Sequence, residues 1–541
     1  MSRRPVVAAL TGVLLAFLAA TLAAVPATGR PSAQVATDAT KPNIVVITLD
    51  DMRADDLQWM PRTRALIGDQ GVTFEHAYSS YPLCCPARSS FLTGQHAHNH
   101  EVWSHLEPYG FKTLRDAEAL PVWLQDAGYD TVFFGKYLNG YGVQPAPDGS
   151  AADSRRYIPP GWSDWQGALD GGPGPGEPLA GGTYRFFNTT LNDNGTFALQ
   201  PGVYQSDAFA NLTETIVAEQ AAADGPFFLW ANYVAPHHGQ PGEADDPAPI
   251  TRDDGKVTDF QTTARPPRWR NTLDEELTVA PGAAGEDDVS DKPFFIRTLP
   301  PLNDAEQAGL LETARQRAEA LGATDEAVAR TITALEASGE LDDTLVVLTS
   351  DNGYFLGEHR IRQGKTLPYE PALNVPLLVR GPGIPASEVR SDPFTTTDFA
   401  PTLLAAAGVD VDWPFDGVSL LEVARHGDQG WRRGVLTETG PRNVIANLDE
   451  SGPPLQLRRG DRESLSYSTG VRTARYLYVE HADGFRELYD MESDPAQVRN
   501  VVDLPAYADD VAALAKYLRD LRLCKGGSCA KPLPRSLQAG P

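Results

Sequence analysis

Positive charge is in short supply in this chain. Its 46 lysines and arginines face 72 aspartates and glutamates, a formal net charge of -26 over 541 residues. A polyanion of this kind repels phosphate backbones and acidic lipid headgroups, which argues against nucleic acid and an anionic membrane surface as partners. Any positive potential has to be local, built from a few placed arginines and lysines. Cysteine is scarce as well: 4 residues are too few for a disulfide framework and fit an exported protein with little disulfide content. Cys524 and Cys529 flank Lys525-Gly526-Gly527-Ser528, a flexible turn across which they can pair. Adjacent Cys84 and Cys85 could pair only through a strained ring. No cysteine lies near the small-residue site Val25-Pro26-Ala27, which excludes a lipid anchor there. That site follows Arg3, Arg4 and an apolar run over residues 6–24, so residues 1–27 read as a secretory signal. A retained anchor is the alternative, because the run is nearly long enough to span a bilayer. The expected location is secreted, cell-surface or periplasmic, with no membrane contact once the signal is removed.

What the chain has in plenty is apolar sequence in runs of strand length. At 41% hydrophobic it can bury a substantial core, and its length suggests two or more domains. Asn43-Ile44-Val45-Val46-Ile47-Thr48-Leu49 has no polar alternation and is rich in β-branched residues, the pattern of a strand covered on both faces in a parallel sheet. It ends in Asp50-Asp51. Two carboxylates at the carboxyl end of such a strand lie where open α/β sheets bind ligands. They would repel one another without a cation between them, and hard oxygen donors favour Ca²⁺ or Mg²⁺. Alone, such a pair is more often a solvated turn. Leu345-Val346-Val347-Leu348-Thr349-Ser350 repeats the pattern, however, and ends in Asp351-Asn352-Gly353. Two buried strands far apart in sequence, both ending in oxygen ligands, favour the metal.

A third stretch, Pro82-Leu83-Cys84-Cys85-Pro86-Ala87-Arg88-Ser89-Ser90-Phe91-Leu92-Thr93-Gly94, places a thiol four residues before an arginine with a proline between them. Pro86 suits the first turn of a helix, where its missing N–H costs nothing. Cys84 is then at the helix N-terminus, where backbone N–H groups and the dipole favour an anion. Arg88, one turn on, adds a fixed charge and a fork of donors. The competing reading is a buried or bridged thiol capping a helix.

The whole string resembles the motif of the type I, formylglycine-dependent sulfatases, Cys-x-Pro-x-Arg followed by a short helix and Thr-Gly, with Cys85 at the variable position. The resemblance runs over residues 41–529. It implies that Cys84 is oxidised by a formylglycine-generating enzyme and that the aldehyde hydrate is the nucleophile. Asp50, Asp51, Asp351 and Asn352 match the family's metal ligands, with position 84 facing the ion. Gly135-Lys136-Tyr137-Leu138-Asn139 matches a segment whose lysine contacts sulfate, and Lys365 matches the second such lysine. In Ala235-Pro236-His237-His238 the first histidine matches the group that serves the leaving alcohol. Many arylsulfatases carry a histidine where this chain has Leu138, and Asn139 is the candidate to fill that space. Residues 339–384 look most like N-acetylglucosamine-6-sulfatases.

The implied architecture is α/β, an alkaline-phosphatase-like sandwich. A large, mainly parallel sheet flanked by helices is expected over residues 41–430, a smaller antiparallel sheet with a closing helix over 431–530, and a tail over 531–541. Residues 471–480 and 486–490 are expected as strands of the small sheet, and 506–523 as its helix. Residues 145–195, rich in Gly, Pro and Asp, read as rim loops or a hairpin. His96, His98 and His100 allow a zinc site, although the resemblance makes their loop a wall of the active site. Residues 239–300 form a long polar insertion, either functional or mobile. Within it Arg265, Arg268 and Arg270 could hold an anionic substrate or could simply be solvated. The function implied is a secreted sulfatase acting on sulfate monoesters of an amino sugar or polysaccharide. The alternatives are a phosphomonoesterase or phosphodiesterase of the same fold and a non-catalytic glycan-binding protein.

Overall fold

Apolar runs without polar alternation have to be covered on both faces, and in the computed structural model they lie at the centre of one large sheet. The described residues are 41–106, 108–174, 181–283, 285–440 and 468–538, so the expected signal at 1–27 and the last residues of the tail lie outside them. In chain order the sheet comprises β1 (Asn43–Asp50), β2 (Val72–Phe74), β3 (Asp130–Lys136), β4 (Asp164–Ala168), β5 (Asn188–Asp193), β6 (Thr196–Pro201), β7 (Phe227–Pro236), β8 (Thr344–Ser350), β9 (Leu377–Arg380) and β10 (Glu388–Arg390). Its strand order is β10-β2-β9-β8-β1-β7-β3-β4-β5-β6. The five strands from β8 to β4 are parallel; antiparallel pairings extend the sheet on either side, and the edge strand β10 pairs parallel with β2. Every residue of β1, β7 and β8 is buried.

Successive side chains of a strand point to opposite faces, and β1 shows what each face packs against. Ile44 and Val46 join Phe91 and Leu92 of α1 (Cys84–Thr93), while Val45 and Ile47 join residues of α2 (Gln205–Ala221) and α3 (Asp304–Ser338). Helix α3 starts at a capping box, in which Asn303 accepts from Glu306 N and the Glu306 carboxylate accepts from Asn303 N. Helix α4 (Phe399–Ala407) adds Leu403 and Leu404 to the first face. The expected layered α/β architecture is therefore observed.

The small sheet, β11 (Val435–Thr439), β12 (Ser468–Arg472), β13 (Tyr476–His481) and β14 (Arg486–Asp490), is antiparallel throughout. Leu514, Leu518 and Leu521 of α5 (Ala508–Leu521) cover it, and its core also takes in Tyr78, Phe355 and Tyr369 from earlier in the chain. Residues 471–480 are not one strand as expected: 471–472 end β12, 476–480 belong to β13, and between them a hairpin turn is closed where Thr473 N donates to Tyr476 O and Tyr476 N to Thr473 Oγ1. The rim segment also holds more structure than its composition suggests. Trp165 stacks on Phe133 at 4.4 Å, and this packing draws β4 into the main sheet. The polar insertion is ordered against α3, with Phe260 in a cluster with Leu310 and Ala314. Cys524 and Cys529 are disulfide-bonded, whereas Cys84 and Cys85 are buried and unbridged.

Candidate active site

Parallel neighbours end side by side, and the register of β1 on β8 pairs Leu49 with Ser350, so Asp50-Asp51 and Asp351-Asn352 emerge abreast. On the other side β7 pairs Pro236 with Asp50 and delivers His237 to the same edge. The four oxygen-bearing residues interlock. Asp51 N donates to Asp351 Oδ1 at 3.2 Å, and Asn352 Nδ2 donates to Asp51 Oδ1 at 2.6 Å. Yet Asp50 Oδ1, Asp51 Oδ2 and Asn352 Oδ1 are buried with no hydrogen-bond partner among the described residues. Buried polar atoms are nearly always satisfied. Three bare oxygens together form a hard-donor set that fits Ca²⁺ or Mg²⁺.

Position 84 enters from α1. Leu83 is extended at the N-cap, Cys84 is the first helical residue, and Gly94 ends the helix at φ 66. All ten helix residues are buried. Arg88 points one turn up and locks three elements together: Nε donates to Asp351 Oδ2 at 2.7 Å, and Nη1 to Lys136 O at 2.7 Å and Asn232 Oδ1 at 2.8 Å. Its Nη2 is a buried donor without a partner among the described residues. Lys136, the last residue of β3, pairs with Asp50. Lys365 donates to Asp51 Oδ1 at 2.5 Å and to Cys84 Sγ at 3.0 Å. Three carboxylates thus meet three fixed cations, all buried.

The titrations follow from this packing. Burial alone would raise the pKa of Asp51, but Lys365 and then His237 outweigh it and hold the carboxyl well below its ordinary value. Burial, with Asp50 close by, pushes the Cys84 thiol up to about 12, so an unmodified cysteine here is a poor nucleophile. His237 lies with Nε2 3.7 Å from Asp51 Oδ2, and its Nδ1 is 2.8 Å from His238 O. A carbonyl can only accept, so the proton is on Nδ1 and the Nε2 lone pair faces the site. Burial and the neighbouring His238 keep this imidazole well below its usual pKa.

Every residue expected at the site is here: Asp50, Asp51, Cys84, Arg88, Lys136, His237, Asp351, Asn352 and Lys365. Two partners were not legible in the sequence. Asn232 sits inside an apolar strand where nothing distinguishes it, and Tyr184 belongs to the expected rim loops. The Tyr184 ring stacks on His237 with centroids 4.7 Å apart, lies 5.1 Å from the Lys136 ammonium, and takes a hydrogen bond from Asn139 Nδ2 at 2.8 Å. Leu138 is core. Asn139 therefore acts on the site through Tyr184.

Two open readings are narrowed by the packing. Arg265 is fully buried against Glu243, Asp245 and Glu319, while Arg268 pairs with Asp207 and Glu326 and Arg270 with Glu243. These arginines neutralise carboxylates of the insertion itself, Glu243 and Asp245, and of α2 and α3, Asp207, Glu319 and Glu326. In the histidine loop, His98 bonds to Glu438 and to the Cys524 carbonyl, and His100 to Ser90, so these rings fasten the loop to the disulfide turn and α1.

The family described as Sulfatase matches residues 42–409. An arylsulfatase of Chlamydomonas reinhardtii is 31% identical over 575 residues, spanning 96% of this chain and 80% of its own. The human N-acetylglucosamine-6-sulfatase is 30% identical, spanning 92% of this chain and 87% of its own. A solved complex with D-glucosamine-2-N,6-O-disulfate, the substrate of that protein, superposes with TM-score 0.66 at 20% identity, over 89% of this chain and 98% of the other.

Proposed function

The chain belongs to the sulfatase family, and from that premise we propose that it is a secreted hydrolase of sulfate monoesters on an amino sugar or sulfated polysaccharide. The observation that carries the reading is the meeting, in one buried place, of Cys84, three bare oxygens and three cationic side chains. A divalent cation, Ca²⁺ or Mg²⁺, would be held by Asp50, Asp51, Asp351 and Asn352 and would supply Lewis-acid charge at the sulfuryl oxygens. Formylglycine at position 84, installed by a formylglycine-generating enzyme, would supply an aldehyde hydrate, with one hydroxyl to attack sulfur and a second whose loss of a proton restores the aldehyde and expels sulfate.

The chain's own residues do the rest. Arg88 offers Nη2 to an oxygen at position 84 while its other donors hold it still. Lys136 and Lys365 face the sulfate oxygens and neutralise the charge that develops there, which is where fixed cations in a dry site act most strongly. His237 keeps its Nδ1 proton on His238 O. The anionic ester favours protonation at Nε2, from which the proton passes to the departing alcohol oxygen. Tyr184, stacked on that ring, keeps it in plane. The amino-sugar substrate is supported by the human relative's activity, and secretion by the N-terminal pattern and the disulfide.

The test pairs mass spectrometry of the peptide containing position 84 with rates on N-acetylglucosamine-6-sulfate, 4-nitrophenyl sulfate and 4-nitrophenyl phosphate. Conversion of Cys84 and preference for the sulfate esters are expected. Faster phosphate turnover would assign the site to a phosphoesterase instead.

A further inference from the structure

Arg317 lies in the middle of α3, a helix whose sequence reads only as Ala- and Glu-rich, and it is 2% exposed. Its guanidinium leaves the helix toward the catalytic edge of the sheet. There Nη2 donates to the Asp51 carbonyl at 2.5 Å and Nη1 to the Pro236 carbonyl at 3.2 Å. Asp56 Oδ2 is 3.4 Å from Nη2, and the group sits 4.5 Å over the Tyr354 ring. The two carbonyls finish two neighbouring strands, β1 and β7. Asp51 has φ 67, a left-handed backbone that a non-glycine residue keeps only where the surroundings impose it. That turn sends the Asp51 carboxylate into the site and its carbonyl out to Arg317. Pro236 directly precedes His237.

We propose that Arg317 is a positioning residue for the reaction described above. Its fork holds the Asp51 and Pro236 carbonyls together, which sets the 3.7 Å spacing between Asp51 and His237 and so governs both cation affinity and turnover without touching substrate. This inference rests on the proposed function. A planar fork can serve two carbonyls at once, whereas a lysine ammonium on a flexible stem serves one well. A purely charge-neutralising role would leave the geometry of Asp51 indifferent to that exchange. Arg265 gives the contrast, being equally buried against carboxylates but bonded to neither strand end.

The experiment strips full-length protein with a chelator and titrates it with calcium in a calorimeter. It then measures 4-nitrophenyl sulfate hydrolysis at saturating calcium. Arg317→Lys and Arg317→Met should weaken calcium binding about 10–100-fold, as loss of a group that orients a ligand does, with methionine the worse. Their kcat should fall while KM holds. Arg265→Gln should melt at a lower temperature yet keep wild-type calcium affinity and kcat. If Arg317→Met does not fold, Arg317→Lys, which keeps the charge and one bond, carries the test. Calcium affinity and kcat equal to wild type in Arg317→Lys, or an equal loss of affinity in Arg265→Gln, would overturn the proposal. Wild-type protein that neither binds calcium nor turns over the ester would instead overturn the proposed function.

Discussion

Replacing Arg88 by lysine keeps the charge and removes the shape. The guanidinium satisfies three buried acceptors at 2.7, 2.7 and 2.8 Å, on Asp351, the Lys136 backbone and Asn232. A lysine that reaches Asp351 leaves Lys136 O and Asn232 Oδ1 without that donor. Each buried acceptor so exposed costs ~1–3 kcal/mol, so Arg88→Lys should lose about 2–6 kcal/mol. Arg88→Met also strands the Asp351 carboxylate beside Asp50, and breaking a buried pair from one side costs ~3–5 kcal/mol. Against a total stability of ~5–15 kcal/mol, both variants should unfold at clearly lower urea, methionine before lysine. The assay is urea unfolding of chelator-treated protein by tryptophan fluorescence, run beside wild type. A midpoint for Arg88→Lys equal to wild type would show that the fork does not hold α1, β3 and β7 together, and the reasoning would fail.

Cys84→Ser can attack sulfur but lacks the second hydroxyl, so it should accumulate a covalent sulfated enzyme with an activated aryl sulfate, seen by intact mass. Cys84→Ala should accumulate nothing, both should lose several orders of magnitude in turnover, and near-wild-type turnover by the serine variant would rule out the aldehyde hydrate. Burial pulls the His98 pKa down, but the hydrogen bond and charge of Glu438 outweigh it and raise it to about 9 from 6.5. A raised folded pKa means stability fully present below pH 6.5 and lost as pH climbs through about 9, on the order of 2–3 kcal/mol. Thermal melts across that range should show the loss, and His98→Gln should flatten it. Replacing Cys524 and Cys529 together by serine opens a loop with sequence separation 5 and should cost about 2 kcal/mol by loop entropy, read as a lower melting temperature under non-reducing conditions.

Much of the site is local information. Asp50-Asp51 and Asp351-Asn352 each follow an apolar run without alternation, the pattern of a strand covered on both faces, which places these four residues at the carboxyl end of the sheet. Cys84, Pro86 and Arg88 are spaced as one turn of a helix, and their geometry follows from that spacing alone. The close, six-residue cysteine pair at 524 and 529 was equally readable. Tertiary structure decided which strand lies beside which, and through that what each polar atom meets. Asn232, Tyr184 and Arg317 acquire roles only when β7, the rim and α3 close on β1, because a hydrogen bond across 144 or 266 residues leaves no period in the sequence. The same holds in reverse for Arg265, Arg268 and Arg270. As a string they look like a patch for an anion, but folding brings Glu243, Asp245, Glu319, Asp207 and Glu326 to them, and their charge is spent on holding the insertion to α2 and α3.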